Sequence, residues 1–239
     1  MTTAFPTEPL HTGATPTLIE AMRTRRSVRA FLPTAVPRAT IEAILADSAR
    51  APSGTNTQPW RVRVLTGTAL QQVVDMAQRI HNDPAAAAAL KPEYDYYPAE
   101  WKSPFVDRRR KVGWDLYGLL GIGKADKARM HEQHGRNFRF FDAPVGLIFT
   151  IDRILSQGSW LDYGMFLQNI MLAARAHGLH TCPQAAWTHF HAQLADLLAF
   201  APEEMLVCGM ALGYGDPTAI ENSMHTEREP VTGFASFHD

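Results

Sequence analysis

The chain has 239 residues, 46% of them hydrophobic and 20% charged, an ordinary globular mixture with ample length to bury a core. Lys and Arg total 23 against 24 Asp and Glu, for a formal net charge of -1. No global basic excess draws the chain toward nucleic acid, so any bound anion needs a local cluster. Cys182 and Cys208 form no framework and lack metal-ligand spacing, which suits a reducing cytoplasm. Met1 to Leu10 lacks the basic and apolar regions of a signal peptide, and no apolar run approaches the ~20 residues of a membrane span. The expectation is a soluble cytoplasmic protein.

After a Thr/Pro-rich start, Thr17-Leu18-Ile19-Glu20 reads as a capping box whose helix runs into the basic stretch Arg23 to Arg29. A second helix follows Pro37, with Ile41, Ile44, Leu45 and Ala49 on one face, and ends in the polar loop Ala51 to Trp60. Arg61 to Leu65 alternates as a half-buried strand. Thr68 to Ile80 restores the helical period through Leu70, Val73, Val74 and Ala77, behind a Thr68/Gln71 capping pattern. Residues 83–135 keep no clean period and carry Tyr94, Tyr96, Tyr97, Trp101, Phe105, Trp114 and Tyr117 among many charges. They read as an excursion of short helices and loops, either a substrate wall or a cover for the sheet.

Val145 to Ile151 is a buried strand. A long helix from Ser159, with Asp162 in capping position, is apolar nearly all round and ends at Gly178, which suits a core or a dimer seam. His191 to Phe200 is a short helix and Met205 to Tyr214 a second buried strand; the tail from Asp216 to Asp239 is polar. Neither repeat nor linker divides the chain, so residues 1–239 read as one α+β domain.

Three segments could carry chemistry. Arg25-Arg26-Ser27-Val28-Arg29 offers three guanidiniums and a hydroxyl, the set a phosphate monoester needs. The competing reading is a solvated basic helix end facing the macrodipole. Pro52 to Trp60 supplies small donors and acceptors between two prolines, with Gly54 allowing close approach, or is a plain polar turn. Gly178 to Ala186 leaves backbone N–H groups accessible beside Pro183, or is only a helix cap and connector. Gly213-Tyr214-Gly215 is followed by Asp216-Pro217 rather than a helix, which rejects a dinucleotide fingerprint. No G-x-S-x-G elbow occurs. His131 and His134 lack zincin partners and read as solvated side chains rather than a metal site.

Taken in order with Thr226-Glu227-Arg228-Glu229-Pro230, these motifs resemble the FMN-dependent nitroreductase family over about residues 17–234. The resemblance implies a central antiparallel-rich sheet flanked by helices, in an intertwined homodimer whose C-terminal tail crosses to the partner. It implies FMN, its phosphate held by Arg25, Arg26, Ser27 and Arg29 with Arg228. Pro52, Ser53, Gly54, Asn56 and Gln58 then approach the flavin of the other subunit. The backbone of Pro183, Gln184 and Ala185 lies beside the pyrimidine edge and N5, with Ala185 nearest N5, and Arg136, Asn137 or Arg139 adds a contact before the strand at Val145. NADH or NADPH donates the hydride and an aromatic acceptor takes two electrons in ping-pong fashion, with no side-chain nucleophile.

Among such enzymes the chain looks most like reductases of nitrobenzene- or nitrobenzoate-type compounds, giving nitroso or hydroxylamino products. Phe105, Trp114 and Tyr117 are the expected pocket walls, from the same subunit or from the opposite one. Two alternatives stand beside this reading. Iodotyrosine deiodinases share the basic motif and grip a zwitterion with a Glu, Tyr and Lys lid, for which Glu93, Tyr94, Tyr97 and Lys102 are the right types. A flavin-binding module without turnover is the other.

Overall fold

In the computed structural model, which describes residues 5–238, Thr17 opens the first helix, α1 (Leu18–Thr24). Its hydroxyl accepts the Glu20 N–H at 3.2 Å and donates to the Glu20 carboxylate at 3.0 Å. The first four residues of the Met1–Leu10 stretch and the terminal Asp239 lie outside the described residues. α1 stops at Thr24, and Arg25 already has extended backbone (φ -64, ψ 127). The arginine segment is therefore not a helix end, and only Arg23 sits in the last turn to meet the dipole.

Pro37 precedes α2 (Arg38–Ser48), which buries Ile41, Ile44 and Ser48 and leaves Ala49 exposed at its cap. β1 (Arg61–Leu65) leads to α3 (Gly67–His81), whose Val73 and Ala77 are fully buried. Thr66, not Thr68, occupies the α3 cap position, and Gln71 bonds Asp75 one turn on. The excursion holds α4 (Pro84–Ala89), α5 (Phe105–Leu119) and α6 (Lys127–Gly135). α5 is 15 residues long and buries none of them, which explains why no apolar period marks it.

β2 (Val145–Asp152) precedes the long helix α7 (Gln157–Ala176). Asp162 lies inside α7 rather than capping it and accepts the Gly54 N–H at 3.0 Å. Gly178 follows the cap residue His177 with φ +72; its N–H bonds Arg175 O at 3.0 Å while Leu179 N–H bonds Ala174 O at 2.9 Å, a Schellman closure. The next five residues were expected as a connector and are a strand, β3 (His180–Gln184). α8 (His191–Leu198) and β4 (Glu204–Gly213) complete the elements.

The four strands run in the order β1-β2-β4-β3 with every neighbouring pair antiparallel, so the fold is α+β. Strand alternation divides the core. Val145, Leu147, Phe149 and Ile151 of β2 face α2 and α7, while Ile148 faces α3, Trp187 and α8. Among the described residues no helix is long and apolar enough to cross a membrane.

On the α3 side two glycines let aromatic rings lie flat on the sheet. A Cβ on Gly146 would stand 2.8 Å from the Phe140 ring, and one on Gly209 would stand 2.2 Å from Trp187. The two rings stack on each other at 4.6 Å. Phe140, Phe141 and Asp142 all take left-handed φ (50, 54 and 65), each costing about 1–2 kcal/mol. Burial of both phenylalanines holds that turn in place.

Trp187 is fully buried and cannot retreat, so Gly209→Ala should destabilise the fold by about 1–3 kcal/mol in urea denaturation. Wild-type stability in that variant would show that the ring does not lie against the strand.

Candidate functional site

The arginine segment is placed by β3. Val28 N–H donates to Thr181 O at 3.1 Å, and Ser27 and Thr181 form a parallel bridge on the outer edge of the sheet. Val28 is buried, so its neighbours turn outward into a cavity of about 640 Å³ lined by Arg25, Arg26, Ser27, Arg29 and Arg228. Asn222, itself buried, locks the far side: its Oδ1 accepts the Arg29 N–H at 2.8 Å and its Nδ2 donates to Ala30 O and Asp216 O, both at 2.8 Å. That anchor fixes the tail that delivers Arg228.

The guanidiniums are not equivalent. Arg26 is tied to Glu8 at 2.6 Å, with a second bond to the Glu8 carbonyl. Arg25, Arg29 and Arg228 have no carboxylate partner among the described residues; Arg29 bonds Ser27 O, and Arg228 bonds Thr226 and Glu227. Burial, and then the neighbouring Arg228 charge, push the Arg25 guanidinium below its ordinary range. Like charges gathered without a counter-ion make a site for an anion.

From Thr181 to Gln184 the strand advances about 10 Å. There Pro183, Gln184 and Ala185 line a second cavity of about 730 Å³. Pro183 can sit in β3 because β3 is one of the two edge strands of the sheet. Gln184 is 2% exposed; its Nε2 donates to Asn137 O at 2.7 Å, but its Oε1 is buried with no partner. Among the described residues Thr15, Thr181, Trp187 and Gln193 also leave a buried polar atom unpartnered, but of these residues Gln184 alone lines this cavity, where a ligand donor would satisfy it.

The remaining wall comes from the excursion. Tyr94, Tyr96 and Tyr97 line this cavity with Arg109, while Phe105, Trp114 and Tyr117 do not line it within one chain. Phe105 and Trp114 stand exposed instead, with Lys124 over the Trp114 ring at 4.9 Å. Tyr94 and Tyr97 are expected from the sequence only as residue types of a lid, and Tyr96 only as one of the excursion's aromatics. No periodicity singles them out, because the loop between α4 and α5 has none. Glu93 is engaged by Arg153 at 2.7 Å and His191 at 3.0 Å, the Tyr94 hydroxyl donates to Val207 O at 2.5 Å, and Lys102 is exposed. The Glu, Tyr and Lys grip of a deiodinase is therefore not assembled in this chain. His131 stacks on His81 at 3.9 Å, and among the described residues no group of three or more His, Cys, Asp or Glu is placed to hold a metal.

Pro52, Asn56 and Gln58 lie elsewhere, around a separate pocket with Arg50. Thr55, Asn56 and Gln58 all have left-handed φ (50, 61 and 49). Ser53 Oγ holds the loop by accepting the Gln58 N–H at 3.0 Å, and the Gly54 N–H is anchored on Asp162. These two bonds hold the left-handed turns of the exposed loop in place.

Of the three candidates before β2, Arg136 forms an ion pair with the buried Glu221 and Arg139 pairs Asp142 at 3.0 Å. Both face a different cavity, beside Arg129 and Glu132. Only Asn137 lines the cavity at Pro183–Ala185. Arg136→Ala, which strands the Glu221 carboxylate, should lower unfolding stability by about 3–5 kcal/mol, whereas Asn137→Ala should weaken ligand binding with little loss of stability. Urea denaturation checks this; equal losses in the two variants would contradict the assignment.

The nitroreductase family model matches residues 22–214. The chain is 45% identical to a 4-nitrobenzoate reductase of Pseudomonas putida, over 89% of this chain and 92% of that protein. It is 40% identical to a nitrobenzene nitroreductase of Ectopseudomonas oleovorans, over 93% of this chain and 97% of the other. Its fold superposes on the FMN and NADPH-dependent nitroreductase NfnB of Sphigopyxis sp. strain HMH with a TM-score of 0.88, at 37% identity, covering 93% and 99% of the two chains. The arginine cavity, the cavity at the end of β3 and these likenesses lead to one conclusion: the chain belongs to the nitroreductase family.

Proposed function

We propose that this protein is a cytoplasmic FMN-dependent NAD(P)H oxidoreductase that reduces nitroaromatic compounds, two electrons at a time, to the nitroso and hydroxylamino level. One observation carries the reading. Three guanidiniums without a carboxylate line one cavity, and about 10 Å along the same strand a buried carbonyl oxygen waits at a second cavity. A phosphate and a hydrogen-bonding heterocycle joined by a short chain fit that pair of features. The chain's relatives support the same chemistry, since those compared above are nitroarene reductases.

Arg25, Arg29 and Arg228 would hold the FMN phosphate, with Ser27 adding its hydroxyl; Arg26, neutralised by Glu8, serves mainly to fix the segment. Pro183, Gln184 and Ala185 would wall the ring system, Ala185 nearest N5, with Gln184 Oε1 accepting from it and Asn137 beside them. When bound, FMN supplies the two-electron relay from NAD(P)H to the acceptor. The protein's own contribution is to position the ring system and shape the acceptor pocket, and the protons come from solvent. A first hydride with one proton takes the nitro group to nitroso plus water, and a second hydride and proton take nitroso to hydroxylamine. None of the protein's side chains need act as a nucleophile.

The reading extends to a homodimer in which residues 1–239 act as one unit. Leu18 and Ile19 of α1, and Leu161 and Met165 one turn apart on α7, are exposed apolar side chains of the kind a subunit seam covers. Pro52, Ser53, Gly54, Asn56 and Gln58 would then complete the partner's flavin site, and Phe105, Trp114 and Tyr117 would wall the partner's acceptor pocket. Phe234 and Phe237 of the tail, both exposed, would anchor its exchange.

Arg25→Ala and Arg29→Ala should each weaken FMN binding about ten- to a hundredfold, the value of a charge-assisted bond. Titration by flavin fluorescence measures it, and unchanged affinity in both variants would end the phosphate assignment. Sedimentation should find a dimer, and a monomer retaining one FMN per chain would rule out a shared site. Bleaching of the bound flavin by NAD(P)H and its recolouring by nitrobenzene separate an enzyme from a flavin-binding module without turnover.

A further inference from the structure

α5 carries four consecutive cations, Arg108, Arg109, Arg110 and Lys111, and they meet different surroundings. Arg108 is paired with Glu229; Lys111 is paired with Asp115 at 2.7 Å and Glu227 at 3.7 Å. Arg109 points the other way, into the cavity of Pro183–Ala185, and has no carboxylate within ion-pair distance among the described residues. Its guanidinium carbon stands 4.8 Å from the centroid of the Trp101 ring and 5.3 Å from that of Tyr97. Aromatic faces hold a guanidinium by its plane and leave the N–H edge free. That edge is the part that grips a carboxylate through two parallel bonds.

The other charges of the cavity sharpen the case. Burial lowers the pKa of both His81 and His134, which favours their neutral forms. Arg109 and Asp95 are then the fixed charges of opposite sign on this wall, beside His189. Arg109 can attract an anionic group, and Asp95 opposes one.

We propose that Arg109 is the specificity-determining residue of the acceptor cavity, selecting nitroaromatic compounds that carry a carboxylate over neutral ones of the same shape. This rests on the reading of the protein as a nitroaromatic reductase. The aromatic body of the acceptor lies among Tyr94, Tyr96 and Tyr97, and its carboxylate meets the guanidinium edge. A phosphate of NADPH carries charge of the same sign, so the test separates the two sources.

The FMN-loaded dimer is assayed with 4-nitrobenzoate and its neutral isostere 4-nitrobenzamide, using NADH as donor. Wild type should prefer the carboxylate, and Arg109→Gln should lower the kcat/KM ratio between the two acceptors about tenfold, through KM. Arg109→Lys should keep part of that ratio, and Asp95→Asn should raise it. Calorimetric titration with benzoate, which is not reduced, reads the same subsite without turnover: affinity falls in Arg109→Gln and rises in Asp95→Asn. An unchanged acceptor ratio with unchanged benzoate binding would overturn the proposal. So would a variant slowed in flavin reduction by NADPH but not by NADH, which would assign the anion to the nicotinamide. Should wild type reduce neither nitro compound, the nitroaromatic reading fails by itself, and the benzoate titration still decides whether Arg109 binds a carboxylate.

Discussion

The hydrogen bond from Val28 N–H to Thr181 O, 3.1 Å long, joins the two halves of the site. It attaches the arginine segment to the outer edge of β3, and β3 in turn ends at Gln184 and Ala185. Everything proposed about the site depends on that registry. A slip of one residue would turn Arg25 and Arg29 inward and Val28 outward. Val28 prevents the slip because it is fully buried, and Asn222 prevents it from the other side by satisfying the Arg29 N–H and the Ala30 carbonyl. A buried apolar side chain and a three-bond asparagine thus hold guanidiniums that repel one another.

The second cavity has its own foundation, on the opposite face of the sheet from α7. Gly209 admits Trp187 and Gly146 admits Phe140, and the stacked pair carries the turns on either side of the cavity, Ala185–Phe190 and Arg136–Asp142. In the turn Arg136–Asp142, whose last three residues are left-handed, Asn137 lines the cavity while Arg136 and Arg139 pair with acidic residues beside another one. Two buried polar clusters away from the cavities are closely bonded. Glu204, held by Arg63 and Thr150, has its carboxyl pulled down to about 2. Arg175, buried, donates to His11, Gly13 and Leu179 carbonyls, and burial beside it takes His180 down to about 3. Arg25, Arg29 and Arg228, by contrast, have no carboxylate partner among the described residues, and of the residues there with an unpartnered buried side-chain polar atom (Thr15, Thr181, Gln184, Trp187 and Gln193) Gln184 is the one that lines the second cavity.

Where burial follows periodicity, the sequence was readable. α2, α3, α7, β1, β2 and β4 lie where their apolar spacing puts them, within a residue or two at the ends. β3 was not readable, since His180-Thr181-Cys182-Pro183-Gln184 has no alternation and contains a proline that only an edge position tolerates. The capping box opens a helix that reads as running into the basic segment, yet that segment is extended from Arg25, and its pairing with Thr181 is a contact over some 150 residues that no local rule detects. α5 escaped for a different reason. With no buried residue it has no apolar stripe to read. The motifs around Arg25, Pro52, Pro183 and Arg228 were visible as clusters of suitable chemistry, but which guanidinium is free, and which residue before β2 faces the cavity, depends on partners distant in the chain.

The most direct test of this account is a crystal structure of the protein grown with FMN. The account predicts one flavin per chain, its phosphate within roughly 3 Å of the Arg25, Arg29 and Arg228 guanidiniums and its ring edge against Pro183–Ala185, with Gln184 Oε1 accepting a hydrogen bond. A flavin whose phosphate binds away from those three arginines, or whose ring lies clear of the end of β3, would contradict it.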